Sequence, residues 1–200
     1  MGSHNITGVI LAGGQSQRMG GQDKAWLSIA GQTLIEWVSQ NLRPQVNHRV
    51  VNANRHFENY RRLQMPVIPD VQFIGKGPLA GIWSVFSALN DEYILTVPCD
   101  VPFFPTDLSQ QLYTALRQNK CLAAVASYQG KLEPAFALIH RQLKPVILSY
   151  LNHEQLQLQQ FLLQQQAAVV NFRRVDALTF VNVNTPADAQ NLEKLWPTIP

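Results

Sequence analysis

A glycine-rich stretch near the amino terminus combines backbone and side-chain groups that are suited to binding phosphate. Residues 11–24 read L-A-G-G-Q-S-Q-R-M-G-G-Q-D-K and follow a short apolar run rich in β-branched residues. Glycines let successive backbone N–H groups converge on an anion. Arg18 adds a planar guanidinium and Lys24 an ammonium group, and both kinds of cation bind phosphate oxygens. The pattern predicts a strand followed by a polyphosphate-binding loop, and the alternative is an ordinary strand-to-helix connection.

A carboxylate in the middle of the chain is the second candidate for chemistry. Asp100 follows the apolar run Tyr93–Val97 and lies between Pro98 and Pro102. Mg²⁺ in proteins takes one or two carboxylates together with phosphate oxygens and water. Asp100 therefore suits a metal ligand better than a general base, which would need a pKa nearer neutrality. The alternative is a turn or capping residue before the next helix.

Polar residues also end other apolar runs. Asn52 and Asp70 stand where an amide and a carboxylate could meet the edges of a base or a ribose, although each alone is typical of a turn. Asn182 and Asn184 alternate with valine in F-V-N-V-N-T-P, residues 180–186, which predicts a strand with both amides on one face. Thr185 before a proline predicts the start of a helix.

The elements that must position these residues alternate between strand and helix. Predicted strands cover residues 6–11, 26–29, 49–51, 67–68, 93–97, 122–128, 134–139, 169–172 and 180–184. Predicted helices cover residues 33–43, 56–63, 79–89, 141–151, 154–166 and 186–196, with one more beginning at Thr106 or Asp107. This order predicts an α/β fold with a doubly wound, mostly parallel sheet. Ligands bind beyond the carboxyl ends of such strands, and five candidates stand at predicted strand ends: Gly13, Asn52, Asp70, Asp100 and Asn182.

Composition narrows the range of partners. A length of 200 residues, of which 46% are hydrophobic, predicts one domain that covers residues 1–200. Only 14% of the residues are charged and the net charge is +3, which suits an anionic small molecule as substrate. Met1–His4 fit an expression scar, because G-S-H commonly survives tag removal. No apolar run reaches the roughly 18 residues that span a bilayer, and Cys99 and Cys121 lack zinc spacing. We therefore expect a cytoplasmic protein with neither nucleic acid nor a membrane as partner.

Taken together, the motifs resemble those of the bacterial molybdenum cofactor guanylyltransferases, in the molybdopterin nucleotidyltransferase family. The resemblance runs from Ile6 to about Leu195. It is carried by L-A-G-G with a closing D-K, by V-N-A-N-R at 51–55, G-P-L-A-G at 77–81, P-C-D at 98–100 and N-V-N-T-P at 182–186. The G-P-L-A-G run has two interpretations, close backbone packing beside a nucleotide or an ordinary helix start.

The resemblance implies a Rossmann-like nucleotidyltransferase fold and the transfer of GMP from GTP to molybdenum-molybdopterin, with release of diphosphate. It implies catalytic roles for Arg18, Lys24 and Asp100, with Mg²⁺ held by Asp100. It implies pterin contacts for Asn182 and Asn184, at the far end of the cleft from the nucleotide. The nucleotide contacts that it implies are Leu11, Ala12, Gly13, Gly14, Arg18, Lys24, Asn52, Asp70 and Asp100.

The chain departs from the family pattern after Tyr150. Relatives often place glycine and arginine there, whereas this chain has N-H-E-Q and a glutamine-rich run. An arginine contact to the pterin phosphate is then either missing or supplied elsewhere, by Arg173 or Arg174. His153 could substitute for it, and the alternative, which we favour, is a solvated loop histidine.

Three other functions remain open at the level of sequence. The first two are a cytidylyltransferase for the same cofactor and a sugar-phosphate nucleotidyltransferase. The third is a non-catalytic module that stores or delivers the cofactor. Implied partners beyond the substrates are other cofactor-biosynthesis proteins and the target molybdoenzymes or their chaperones.

Overall fold

The computed structural model describes residues 5–13, 24–173 and 176–195. The strands within these ranges are β1 (Ile6–Leu11), β2 (Ser28–Ile29), β3 (Gln32–Thr33), β4 (His48–Asn52), β5 (Val67–Ile68), β6 (Tyr93–Pro98), β7 (Ala123–Tyr128), β8 (Lys131–His140) and β9 (Ala168–Phe172). The helices are α1 (Leu34–Leu42), α2 (Phe57–Arg61), α3 (Pro78–Ala88), α4 (Leu108–Gln118), α5 (Lys144–Asn152), α6 (Leu158–Gln164) and α7 (Pro186–Leu195). Short 3₁₀ turns cover Lys24–Trp26, Arg43–Gln45 and Arg141–Leu143.

Seven strands form one sheet in the order β5-β4-β1-β6-β8-β7-β9. The pairs β1–β4, β1–β6, β4–β5 and β7–β9 are parallel, while β8 runs antiparallel to both β6 and β7. The reversal follows from the two-residue turn between β7 and β8, where Gln129 and Gly130 both have positive φ, 49° and 78°. Such turns join antiparallel strands tightly. The prediction of a mostly parallel α/β sheet is confirmed.

Helices cover both faces of this sheet. On β1, Ile10 packs into a cluster with α1 and α4, while its neighbour Val9 packs into a cluster with α3, α5 and α6. Successive side chains of a strand point to opposite faces, so the continuous apolar run of β1 supplies both layers at once. The sheet is therefore doubly wound, as the alternation of elements predicts.

The predicted strand at residues 180–184 is wrong. Phe180 lies in the left-handed region with φ 63°, and its ring packs against Phe136 with centroids 5.0 Å apart. Beyond it the chain bonds to loops, since the N–H of Val183 donates to the Asp100 carbonyl at 2.8 Å. Val183 is buried in a third cluster, which includes Leu34 of α1 and Leu192 of α7. The alternation of valine and asparagine thus reflects an extended segment with one buried side.

Several predicted elements differ in extent. The strand predicted at 134–139 is longer, since β8 covers Lys131–His140, and the helix predicted at 56–63 is shorter, since α2 covers Phe57–Arg61. The predicted strand at 26–29 begins as the 3₁₀ turn Lys24–Trp26, and only Ser28–Ile29 pairs as a strand. The predicted helix at 154–166 is shorter, and α6 covers Leu158–Gln164. Among the described helices, none combines the length and the apolar character needed to cross a bilayer.

Candidate active site

The candidate residues of the parallel strands meet at one edge of the sheet. Asn52 ends β4, while Gly13, Asp70 and Asp100 each lie two residues beyond a strand, namely β1, β5 and β6. Backbone hydrogen bonds tie the start of the glycine loop to both neighbouring strands. The N–H of Ala12 donates to the Asn52 carbonyl at 2.9 Å, and that of Cys99 donates to the Leu11 carbonyl at 3.2 Å. The loop therefore leaves the sheet between Asn52 and Asp100.

One side of this edge is a buried amide–carboxylate cluster of Asn52, Asn54 and Asp70. Asn52 Nδ2 donates to Asp70 Oδ1 at 3.0 Å and to the Ile68 carbonyl at 3.0 Å. Asn54 Nδ2 donates to Asp70 Oδ2 at 2.7 Å, and Asn54 Oδ1 accepts from the Asp70 N–H at 2.8 Å. Each carboxylate oxygen accepts one of these hydrogen bonds and has a second lone pair left over. The cluster thus fixes Asp70 in one orientation while leaving it able to accept from a ligand.

Gly81 allows the backbone of α3 to approach Asn52 more closely than a side chain would permit, whereas Gly13 makes only an ordinary contact. A Cβ atom on Gly81 would lie 2.1 Å from Asn52 Oδ1, and one on Gly13 would lie 3.4 Å from the same oxygen. Gly77 begins α3 with φ 76°, a conformation that glycine adopts without strain. The interpretation of G-P-L-A-G as a helix start is confirmed, since Gly77 is the N-cap of α3. Gly81 lets that helix pack against the Asn52 amide, and packing beside a nucleotide stays a prediction.

The other side of the edge is a cluster of charged and amide groups around Lys24. Lys24 Nζ lies 3.7 Å from Asp100 Oδ2, an ion pair in which the two side chains are 27% and 19% exposed. The same ammonium donates a hydrogen bond to Asn184 Oδ1. Asn182 hydrogen-bonds to the Asp100 carboxylate. Four predicted site residues from three distant parts of the chain thus come together.

Burial raises the pKa of the Asp100 carboxyl above its ordinary value, and the nearby Lys24 charge and the hydrogen bonds to the carboxylate oppose this effect. The anion is therefore less stable here than in water. Within the described part of the chain, no group of three or more His, Cys, Asp or Glu side chains could hold a metal ion. A divalent cation at Asp100 would then take its remaining ligands from a substrate and from water, as Mg²⁺ commonly does.

The segment that carries Asn182 and Asn184 is anchored at the start of α7. Asp188 Oδ2 accepts hydrogen bonds from the N–H groups of Asn184 and Thr185, at 3.0 and 2.8 Å. The Thr185 hydroxyl accepts from the Asp188 N–H at 3.1 Å. This reciprocal arrangement is a capping box, which satisfies N–H groups that have no partner inside the helix.

The structure departs from sequence-based expectation in how the candidate residues group. Gly14, Arg18 and Arg174 lie outside the described residues. Asn182 and Asn184 do not lie at the far end of a cleft, because they contact Asp100 and Lys24 directly. The backbone bond from Val183 to Asp100 folds the carboxyl-terminal segment over the end of β6.

Sequence reasoning missed two residues of this site. Asn54 is the second amide of V-N-A-N and holds Asp70 on both its carboxylate and its N–H. Asp188 is the fourth residue of T-P-A-D, which has the spacing of a capping box. Either motif could have been identified from these signals, since a second asparagine and a capping acid are both visible in the sequence.

The segment after Tyr150 contacts the loop before α3, a contact that the sequence alone did not predict. His153 ends α5, where its Nδ1 lies 2.8 Å from the Ser149 carbonyl. Glu154 pairs with Lys76 at 2.7 Å, on the loop before α3. Arg173 follows β9 and is exposed. The ion pair of Glu154 thus links the segment after Tyr150, where the sequence departs from the family pattern, to the loop that follows Asp70.

Comparison with known proteins identifies the family of the chain. Residues 8–170 match the model of a family described as the MobA-like NTP transferase domain. A relative from Yersinia pestis (strain Pestoides F), named molybdenum cofactor guanylyltransferase, is 42% identical over 192 residues, which are 96% of this chain and 95% of the relative. A protein of the same name from Yersinia pseudotuberculosis serotype O:3 (strain YPIII) is 41% identical over the same shares.

Solved structures share the fold at lower sequence identity. The molybdopterin-guanine dinucleotide biosynthesis protein A of Archaeoglobus fulgidus superposes with a TM-score of 0.75 at 20% identity, covering 97% of this chain and all of that one. The 4-diphosphocytidyl-2C-methyl-D-erythritol synthase of Anaerococcus prevotii gives 0.72 at 14% identity, with 98% and 97% covered. The fold and the site therefore define an α/β nucleotidyltransferase. Within that class, the chain belongs to the MobA-like NTP transferase family.

Proposed function

We propose that the protein transfers GMP from GTP to molybdenum-molybdopterin, releasing diphosphate and forming molybdopterin guanine dinucleotide. A relative that is named for this activity is 42% identical over 96% of the chain. The observation that carries the proposal is the pairing of Lys24 with Asp100 at the end of β6, beside the start of the glycine loop. A cation and a carboxylate placed together at this edge suit a metal-bound polyphosphate.

In the proposed reaction, the terminal phosphate of the pterin attacks the α-phosphorus of GTP in line. The bond from that phosphorus to the bridging oxygen breaks, and diphosphate leaves. A phosphate needs little deprotonation near neutral pH, so positioning and neutralisation of charge carry the catalysis. Lys24, Arg18 and the N–H groups of Gly13 and Gly14 would bind the phosphates, while Leu11 and Ala12 would line the nucleotide site, since the Ala12 N–H already donates to the Asn52 carbonyl.

Asp100 would hold the metal, for which we propose Mg²⁺. When bound, the ion would neutralise phosphate oxygens and withdraw charge from the α-phosphorus. The chemistry of the site fits this role. An unscreened carboxylate beside a triphosphate would repel it, and Lys24 alone supplies one charge against several.

The remaining candidates divide between the nucleotide and the acceptor. We assign Asn52 and Asp70 to the guanine nucleotide, because their buried cluster leaves acceptor lone pairs at the cleft edge. We assign Asn182 and Asn184 to the pterin side. Both side chains are exposed, although each also bonds to Asp100 or Lys24. The acceptor would then bind directly against the phosphate-binding pair, which suits an in-line transfer.

Cytoplasmic location and exchange of the cofactor with other biosynthetic proteins, target molybdoenzymes or their chaperones belong to the same proposal. A storage or delivery module would not need a cation and a half-buried carboxylate at the phosphate end of the site. Burying that carboxylate has an electrostatic cost, since it raises the pKa of Asp100. A catalytic or metal-binding role accounts for such a group better than storage does.

The test is to incubate the protein with Mg²⁺, molybdenum-molybdopterin and each NTP in turn, and to identify the nucleotide in the product. We expect a guanine dinucleotide and stoichiometric diphosphate from GTP. A cytosine dinucleotide from CTP would support a cytidylyltransferase instead. Tight binding of the finished cofactor without turnover of any NTP would support the delivery module.

A further inference from the structure

We propose that Asp188 is a positioning residue for Lys24 and acts through Asn184. The ammonium of Lys24 is held at the phosphate-binding edge by the start of α7, so that helix is part of the catalytic apparatus as well as of the core. This inference rests on the proposed function in one respect, namely that Lys24 acts on the phosphates of a nucleotide.

Asp188 fixes the backbone of Asn184. One carboxylate oxygen of Asp188 accepts from two consecutive N–H groups, those of Asn184 and Thr185, at 3.0 and 2.8 Å. The bond from the Asp188 N–H to the Thr185 hydroxyl closes the box from the other side. Restraint at its own N–H and at the next one fixes the backbone of Asn184 and therefore the direction in which its Cα–Cβ bond points.

Asn184 in turn holds Lys24. Asn184 Oδ1 accepts from Lys24 Nζ, and the two residues are 160 positions apart in the chain. A lysine side chain is a flexible four-carbon stem ending in a point charge. Without a fixed acceptor, its ammonium would sample several positions, of which few suit a phosphate. The Asn184 amide selects one of these positions before the nucleotide arrives.

Charge acts on Lys24 as well. Among the described residues, Asp100 at the end of β6 forms an ion pair with Lys24, and Asp188 on α7 is close enough for the charge of Lys24 to affect it. Hydrogen bonds from Thr185 and Asn184, and the positive charge of Lys24, lower the pKa of Asp188, so its carboxylate is ionised near neutral pH. The Lys24 ammonium is therefore attracted by the Asp100 carboxylate, with which it pairs at 3.7 Å, and more weakly by that of Asp188.

The chain offers a matched control for a purely structural role. Glu36 closes the corresponding capping box at the start of α1, where its Oε2 accepts from both the N–H and the hydroxyl of Thr33 at 2.7 Å. Hydrogen bonds lower the pKa of Glu36 as well. Replacing either acid by alanine removes a helix cap, but only Asp188 connects to Lys24.

The experiment is a double-mutant cycle on kcat/KM for GTP with Asp188→Ala, Lys24→Ala and the double variant. We expect Asp188→Ala to lower kcat/KM roughly tenfold to a hundredfold, as misplacement of a catalytic group does. In the Lys24→Ala background the same change should cost no more than about twofold. Glu36→Ala should lower the melting temperature by about as much as Asp188→Ala does, because each removes one helix cap, but it should leave kcat/KM unchanged. Asp188→Asn keeps an acceptor oxygen and should recover part of the loss.

The proposal is overturned if Asp188→Ala costs the same factor in both backgrounds, or if Glu36→Ala lowers kcat/KM equally. A second readout does not depend on the reaction. The ¹³Cε resonance of Lys24, assigned from its absence in Lys24→Arg, should shift in Asp188→Ala and stay in place in Glu36→Ala. An unmoved Lys24 resonance in Asp188→Ala rejects the positioning role even if no nucleotide is turned over. A shifted resonance in a protein that turns over no GTP would reject the proposed function alone.

Discussion

At the scale of the residue, Asp100 combines a cost to the fold with a proposed benefit to the site. Burial raises its pKa, which means that the folded protein holds the neutral acid more readily than the unfolded chain does. The stability contributed by this group therefore falls as the pH rises through the interval between the ordinary pKa and the raised one. Residues with this behaviour in a cleft are candidates for function rather than for stability.

We predict that Asp100→Asn abolishes transfer without destabilising the protein. The amide keeps the shape of the side chain but cannot neutralise a divalent cation. Turnover should fall by at least about a hundredfold, since metal-assisted stabilisation is worth several kcal/mol and each 1.4 kcal/mol is tenfold. In metal-free thermal or urea unfolding, the variant should equal or exceed the wild type near neutral pH.

A pH series provides the check on this prediction. The advantage in unfolding free energy of Asp100→Asn over the wild type should grow as the pH rises above the ordinary range of an aspartate, and then level off. A constant difference would show that the Asp100 carboxyl does not titrate with a raised pKa. Undiminished turnover would make Asp100 a turn residue with no part in the reaction.

At the scale of the element, local signals in the sequence predict the strands and helices well. The apolar run of β1 and the Thr33 cap of α1 are both where the sequence places them, because a buried parallel strand and an N-cap have recognisable residue types. The extended segment at 180–184 could not be identified correctly. Its alternation of valine and asparagine matches a strand, but Phe180 lies in the left-handed region and packs on Phe136, and the Val183 N–H donates to the Asp100 carbonyl, which lies outside a strand.

The contact between α3 and β4 gives the next prediction, which concerns Gly81→Ala. The added Cβ would lie 2.1 Å from Asn52 Oδ1, and Asn52 is tied by its Nδ2 to Asp70 and to the Ile68 carbonyl. The amide must rotate and break buried hydrogen bonds, which costs about 1–3 kcal/mol. Alanine regains about 1 kcal/mol of helix propensity, so the net change should be a modest loss of stability.

The same substitution should also lower the affinity for GTP, because a shift of Asn52 would displace Asp70, to which it is hydrogen-bonded. Calorimetric titration of GTP against Gly81→Ala would measure this, and a loss of about tenfold is expected if one hydrogen bond to a charged group is disturbed. Ser87→Ala is the control on the same helix, since Ser87 is exposed and bonds only to the Trp83 carbonyl among the described contacts. Equal GTP affinity in Gly81→Ala and the wild type would separate the Asn52 cluster from the nucleotide.

At the scale of the whole molecule, the site depends on contacts between parts of the chain that are far apart in sequence. Lys24 and Asn184 approach each other because α7 and its preceding segment pack on Ile29 and Leu34 in one apolar cluster. The residue types of the site were predictable, since each motif carries its own spacing. Their grouping was not, because no local pattern indicates that Asn182 folds over Asp100 rather than across a cleft.

If the proposed assignments hold, this arrangement should make nucleotide binding and metal binding interdependent, which gives the last prediction. GTP with Mg²⁺ should raise the melting temperature, because a ligand at 100 times its Kd stabilises the folded state by about 2.7 kcal/mol. For a chain of this size that corresponds to roughly 5–10 °C. With a chelator, most of the shift should disappear, since the triphosphate would meet the Asp100 carboxylate with only Lys24 to offset it among the described residues.

Scanning calorimetry with GTP, with and without chelator, on the wild type and Asp100→Asn would measure the coupling. In Asp100→Asn the repulsion is absent, so the chelator should matter less. An equal shift in the wild type with and without the metal would show that GTP binds without a cation at Asp100, and the metal assignment would then have to be abandoned.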